Sequence, residues 1–424
     1  MKRHAALSVS TYVRIAVMMA AVDGSAFASG FQLQEQTASG LGLAYSGMAA
    51  ATQDASTAFW NPAGMTFLPR SQVAVAANYI IPSFRFSSAG GPPAGSTYSA
   101  FGDGGDGAVP TAVPAVYGLL HITPRLAAGL SINSPFGLST DWDSPWAGMF
   151  YAVKSKVETL NVNPAIAWRL NDFLSVGAGV SYQRLKATLT NALTPLIPTA
   201  QGRLDGSDWA WGWNVGVLGD FGQGTRVGLT YRSAISYRVT GEVAFNNPAF
   251  APLGSNVAAD LKLPQVASIA VAQQIGPKLR VLADYTWTGW DSVQALTVIA
   301  TSGPGTGLPV ENVPLSFKNS WRTGVGAEYE LSPPWLLRAG VAYDRSPVQD
   351  AFRSPRLPDS DRKWLAIGTS WRPDERWTLD FGYAYLWVKE ASSNLVSAGP
   401  VPGVLRGRYS SNVNILGVQA SMRF

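Results

Sequence analysis

The chain has no cysteine and only two histidines. A disulfide framework is therefore excluded, and a zinc site built from Cys and His lacks its ligands. Charge is also scarce. Asp, Glu, Lys and Arg make up 14% of the residues, against about 25% in an ordinary soluble domain. Long hydrophobic runs are missing too. No continuous apolar stretch reaches about 18 residues, so helices are excluded as membrane-spanning elements.

Glycine and aromatic residues are abundant: 43 Gly, 17 Phe, 15 Tyr and 15 Trp in 424 residues. Low charge and many aromatics without helical spans leave one membrane architecture, the closed β-barrel. It satisfies every backbone group between strands and hides its hydrophobicity in alternation. The N-terminus reads as an export signal, with basic Lys2, Arg3 and Arg14, a short apolar run Ile15–Val22, and the small-x-small site Ala26–Ala28. Cleavage is expected after Ala28. Loss of three bases and one acid with this segment takes the formal charge from +5 to +3, too weak a balance to argue for nucleic acid.

Strict alternation marks the strands. In Arg376–Trp387, the residues Trp377, Leu379, Phe381, Tyr383, Tyr385 and Trp387 share one face, and Thr378, Asp380, Gly382 and Ala384 the other. Aromatics at both ends of the apolar face fit the two membrane interfaces, and the small, polar face fits a lumen. The same parity puts Arg338 and Asp344 inward in Trp335–Asp344, and Lys318, Arg322 and Glu328 inward in Lys318–Tyr329. It sends Tyr231 and Tyr237 outward, with Arg232 and Arg238 inward. Arg184 and Lys186 fall outward, where rim cations meet lipopolysaccharide phosphates. Six short turns, near Ile122, Arg169, Phe221, Ile275, Leu331 and Arg372, alternate with long Gly/Pro/Ser-rich loops. Six such turns, with both chain ends on their side, give about fourteen antiparallel strands, an all-β transmembrane barrel over 71–424. The final alternation, ending at Phe424, fits a closing strand recognised by the outer-membrane assembly machinery.

The segment 29–70 does not alternate. "DASTAFWNPAGM", from Asp54, is neither a good strand nor a good helix, yet it is too apolar for a solvated linker. A wide barrel needs its lumen filled, so this stretch reads as a plug, anchored by Phe59 and Trp60 and turned at Asn61-Pro62.

At this point the chain resembles the FadL-type outer-membrane transporters of long-chain fatty acids and aromatic hydrocarbons. The resemblance rests on "SGFQLQEQTASGLGLAYSGMAAATQDASTAFWNPAGM", and continues in "INSPFGLSTDW", "LNVNPAIAWRLND", "WGWNVGV", "LTYRS", "YDRSPV" and "LPDSDRKWLAIG". It implies an N-terminal hatch inside a 14-stranded barrel, with Asn61, Pro62 and Ala63 in the hatch. It implies location in the outer membrane of a Gram-negative bacterium. It also implies lateral release of the cargo through a kink in the third strand, which maps to "SINSPFGLST". Pro135 and Gly137 both disfavour a strand interior; the plainer alternative is that Pro135 ends the strand before the loop at Asp141. Lys318, in Phe317-Lys318-Asn319, resembles the position that contacts the ligand head. Asp344 and Arg362 match family motifs, and inward Arg232 is a further candidate to meet a carboxylate. For each of these charges the competing role is a lumen charge ladder. The loops near Leu193 and Asn246 are shorter than the family's groove-forming loops, which leaves fatty acid against aromatic hydrocarbon open.

The expected function is outer-membrane uptake of hydrophobic compounds, foremost long-chain fatty acids, by a monomer without cofactor. An aromatic-hydrocarbon channel and a general porin are the alternatives. Catalysis is not expected, because mature His121 stands alone beside a short turn, without a nucleophile to serve. The "GDGGDG" from Gly102 lacks the spaced acids of a calcium loop.

Overall fold

The computed structural model describes residues 30–92, 95–397 and 401–424. The expected signal peptide, 1–28, lies outside them. The chain forms a closed antiparallel barrel of fourteen strands, several of them broken once. In order they are Gln72–Ser88 (β1), Thr111–Thr123 (β2), and Leu126–Asn133 resumed as Gly137–Asp141 (β3). Next come Lys154–Arg169 (β4), Leu174–Ala192 (β5), Gln201–Asp220 (β6), Thr225–Arg232 resumed as Ile235–Phe245 (β7), and Ser255–Leu263 resumed as Val266–Ile275 (β8). Leu279–Thr288 resumed as Ala295–Ala300 is β9, and Pro309–Pro314 resumed as Ser320–Ser332 is β10. Trp335–Asp344 (β11), Arg362–Trp371 (β12), Trp377–Val388 resumed as Ala391–Ser397 (β13) and Gly403–Arg423 (β14) complete the wall. β1 pairs with β14 from Gln72↔Arg423 to Ser88↔Gly407, which closes the sheet and leaves no edge.

All six expected short turns join strands at one end of the barrel. Alternation holds in the regular strands. Val325, Val341, Leu365 and Ile367 are exposed on the outer face, while Arg322, Glu328, Arg338, Asp344 and Asp380 are buried inside. Trp335 and Trp371 stack at the short-turn end. Toward the long-loop end Tyr182 stacks on Trp209 and Trp321 lies tilted against Tyr343, which bounds an apolar band between two aromatic girdles. Arg184 and Lys186 are exposed on the outer face, as parity required.

One parity assignment is overturned. Tyr237 is buried and accepts a hydrogen bond from Gln183 Nε2, whereas Arg238 is exposed. The ladder of β7 breaks at Ser233-Ala234. An irregularity there exchanges the two faces, as any one-residue slip in a strand does.

The segment before β1 packs inside this wall. It holds two single-turn helices, Ala38–Leu41 (α1) and Thr57–Trp60 (α2), and a 3-10 turn, Pro62–Phe67. Asn61, held extended before Pro62, starts that turn: its Oδ1 accepts from Ala63 N at 3.1 Å. Its Nδ2 donates to Ala49 O within the segment and to Val217 O on the wall. Part of the glycine abundance follows from this packing. A Cβ on Gly228 would lie 1.9 Å from Ala49 O, and one on Gly340 2.1 Å from the backbone of Leu43. Only glycine lets the wall approach the inner backbone so closely.

Candidate functional site

The break in β3 builds the site. Asn133 pairs with Asn161 and Gly137 with Glu158, so three residues, Ser134, Pro135 and Phe136, face two on β4. The extra residue is a bulge, and proline, lacking an N–H, suits such a place. On its other side β3 leaves β2 as well. No ladder joins them between the Val116↔Ile132 pair and the isolated Ala108↔Thr140 bridge.

The N-terminal segment occupies this gap. Leu33 N donates to Pro135 O at 2.8 Å, and Gly137 N to Phe31 O at 2.9 Å. Gln36 Nε2 donates to Ser134 O at 2.9 Å. Thr159 covers the remaining groups: Phe136 N donates to its Oγ1, which donates back to Phe136 O. The bulged backbone is thus satisfied by the hatch and one side chain, as buried peptide groups must be. Behind it, Phe31, Phe136, Trp290 and Phe317 form an aromatic cluster, with ring centroids 4.8 Å apart for Phe31–Trp290 and 5.8 Å for Trp290–Phe317. Farther toward the long loops, Trp142 and Trp146 stack at 4.6 Å over Phe86 and Tyr409. The "GDGGDG" loop is pinned there by Asp106, which accepts from Phe84 N and Ser83 Oγ.

Below the bulge lies a cavity of about 70 Å³. Hatch residues Leu33, Tyr45, Met48, Phe59 and Trp60 form one side, and Pro135, Phe136, Arg232, Val266, Asp284 and Arg322 the other. Arg322 pairs with Asp284 at 3.4 Å and donates to Ala44 O. Arg338 bridges Glu328 at 3.0 Å and Asp380 at 2.9 Å, and Arg280 also binds Glu328.

The residues singled out from sequence are distributed unevenly around this cavity. Phe59 and Trp60 line it, packed edge to face at 5.2 Å, and Pro135 lines it from the wall. Asn61, Pro62 and Ala63 are buried deeper in the hatch. Gly137 resumes the ladder, so the break in pairing spans Ser134–Phe136 and ends at Gly137. Arg232 lines the cavity directly. Arg362 and Asp344 are buried opposite one another in register, and Arg362 pairs with Asp359. The side chain of Lys318 is exposed. The chain is irregular between Leu315 and Asn319, where parity no longer predicts direction. Sequence reasoning missed Phe31, Gln36 and Thr159. The alternation of Phe31-Gln32-Leu33-Gln34 was the available signal that this stretch pairs as a strand.

A family model described as outer membrane protein transport protein (OMPP1/FadL/TodX) matches residues 19–424. The long-chain fatty acid transport protein of Salmonella typhi is 31% identical, over 94% of this chain and 97% of that protein. That of Escherichia coli (strain K12) is also 31% identical with the same coverage. Among solved structures, a Pseudomonas aeruginosa FadL homologue superposes with a TM-score of 0.83 at 26% identity, covering 93% of this chain and all of that one. The Ralstonia pickettii toluene transporter TbuX shares the fold, with a TM-score of 0.67 at 18% identity over 92% of this chain and 99% of that one. The bulged third strand, the hatch seated against it and these likenesses agree: the chain belongs to the FadL/TodX family of outer-membrane transport proteins, which move hydrophobic compounds and are not enzymes.

Proposed function

We propose that this protein takes up long-chain fatty acids, holding them beside the hatch and releasing them sideways into the bilayer through the bulge of β3. The observation that carries this reading is the closure of the wall gap by hydrogen bonds between β3 and the hatch residues Phe31, Leu33 and Gln36 instead of by a strand ladder. Such a closure breaks when the hatch shifts, without unzipping the barrel. The relatives of 31% identity are named for long-chain fatty acids, which supports the same cargo here.

Lys318, exposed beside the long loops, would meet an ionised head group first. Arg362 and Asp344 lie deeper and are already engaged with charges of the wall. The hatch comprises 29–70 and the barrel 71–424. The outer rim, with Arg184 and Lys186, faces lipopolysaccharide, and Phe424 serves assembly of a monomer. A second reading, uptake of aromatic hydrocarbons, draws on the Phe31–Phe136–Trp290–Phe317 cluster.

The test is uptake of labelled oleate and labelled toluene by cells carrying the parent or Leu33→Pro, which removes the donor to Pro135 O. Oleate uptake changes in the variant if the hatch gates the bulge. Uptake of toluene but not oleate by the parent selects the second reading. Steady, large conductance of the parent in planar bilayers selects a general porin.

A further inference from the structure

The inward arginines of the wall are neutralised almost everywhere. Arg280, Arg322, Arg338 and Arg362 each have a carboxylate within salt-bridge distance. Arg232 has none among the described residues. Its bonds go to neutral groups: Nη1 donates to Ser181 Oγ at 3.3 Å and Nη2 to Phe59 O at 2.9 Å. The guanidinium also sits 4.4 Å over the Phe59 ring. These contacts use two of its five N–H donors and hold the side chain in the cavity lining. A partly buried guanidinium without a counter-charge is incompletely compensated for its lost hydration, so a permanently ionised side chain in this place favours an anion beside it.

The rest of the cavity limits that anion. Leu33, Met48, Phe59, Trp60, Phe136 and Val266 offer an apolar lining suited to hydrocarbon. Asp284, the acid in the lining, is matched by Arg322, so an incoming carboxylate is drawn to the Arg232 side. The cavity also touches Pro135 and Phe136, the exit of the proposed route.

The geometry points to Arg232 as the receptor for the ionised carboxylate of an aliphatic acid, and as the residue that sets a preference for carboxylates over neutral hydrophobes. This inference rests on the transport reading above. A charge-assisted pair of this kind changes affinity by about ten- to a hundredfold.

The experiment titrates the full-length protein in detergent at pH 8 with oleate and with oleyl alcohol, the same chain bearing a neutral head, following tryptophan fluorescence. The parent should bind oleate at least about tenfold more tightly. Arg232→Gln should lose that preference while its affinity for oleyl alcohol stays within about twofold. Arg232→Lys, which keeps the charge, should retain most of the preference. Because Arg232 also bonds the hatch at Phe59, the alcohol reports whether the substitution merely loosens the hatch. Equal weakening for both ligands, or unchanged oleate binding in Arg232→Gln, overturns the assignment. A parent that binds both ligands equally overturns it as well. A parent that binds neither overturns the transport reading instead.

Discussion

Leu33 of the hatch and Pro135 of β3 are joined backbone to backbone, N–H to carbonyl, across 2.8 Å. A residue upstream of the barrel thereby completes a strand within it. At this point the hatch, and not a neighbouring strand, completes the wall.

The bulge holds one residue too many, so deleting Pro135 should let β3 pair without interruption against β4. Oleate uptake should fall to near the level of cells lacking the protein, while heat-modifiable migration on gels, the mark of a folded barrel, persists. Undiminished uptake in a correctly assembled deletion variant would place the exit elsewhere.

Asn61→Ala removes three hydrogen bonds, to Ala49 O, Val217 O and Ala63 N, in a buried setting. Each group left without a partner costs about 1–3 kcal/mol. The hatch should loosen before the barrel does, seen as more frequent conductance steps in planar bilayers with an unchanged strand signal in circular dichroism.

Glu35 of the hatch is wholly buried. Burial pushes its pKa up to about 7 from the ordinary 4.5, although backbone N–H groups beside the carboxylate and Arg362 pull the other way. The folded form therefore holds the proton more tightly than the unfolded one. Its contribution to stability is complete below the unfolded value of 4.5 and is lost as pH rises through about 7. The thermal midpoint should drop between about pH 5 and about pH 8, and Glu35→Gln should flatten that slope. An identical slope in the variant would assign it to another group.

Arg338→Met strips the shared cation from Glu328 and Asp380, both buried. Glu328 keeps Arg280, but among the described residues Asp380 keeps only Ser370 Oγ. Breaking such a buried pair costs about 3–5 kcal/mol, to be read as a lower denaturant midpoint in micelles. Lys318→Met should behave differently: an exposed cation at the mouth acts on encounter, so the association rate of oleate should fall and lose its salt dependence, with equilibrium affinity nearly kept.

Much of the wall was legible because period-two alternation reports burial directly. Arg322, Glu328, Arg338, Asp344 and Asp380 were assigned inward from parity alone and are inward. Legibility ended where a strand breaks. Pro135 announced one break, since proline cannot continue a ladder. Ser233-Ala234 carries no such mark, and beyond it Tyr237 and Arg238 exchanged faces. The same loss of regular geometry hid the direction of Lys318. Arg232 was visible as an inward cation, but not as one without a carboxylate, because its neighbours Ser181 and Phe59 are distant in sequence. The pairing of the hatch with β3 depends on a lumen that exists only after the barrel closes.

That dependence extends to the seam. Gln419 lies on β14, the last strand made, and reaches two hatch positions: its Oε1 accepts from Ala38 N and its Nε2 donates to Asp54. During synthesis the plug emerges first, yet part of its seat arrives last. A chain stalled before β14 would carry a plug short of these two bonds in an unclosed wall, and truncation products lacking the last strand should be cleared by periplasmic proteases instead of accumulating as leaky pores.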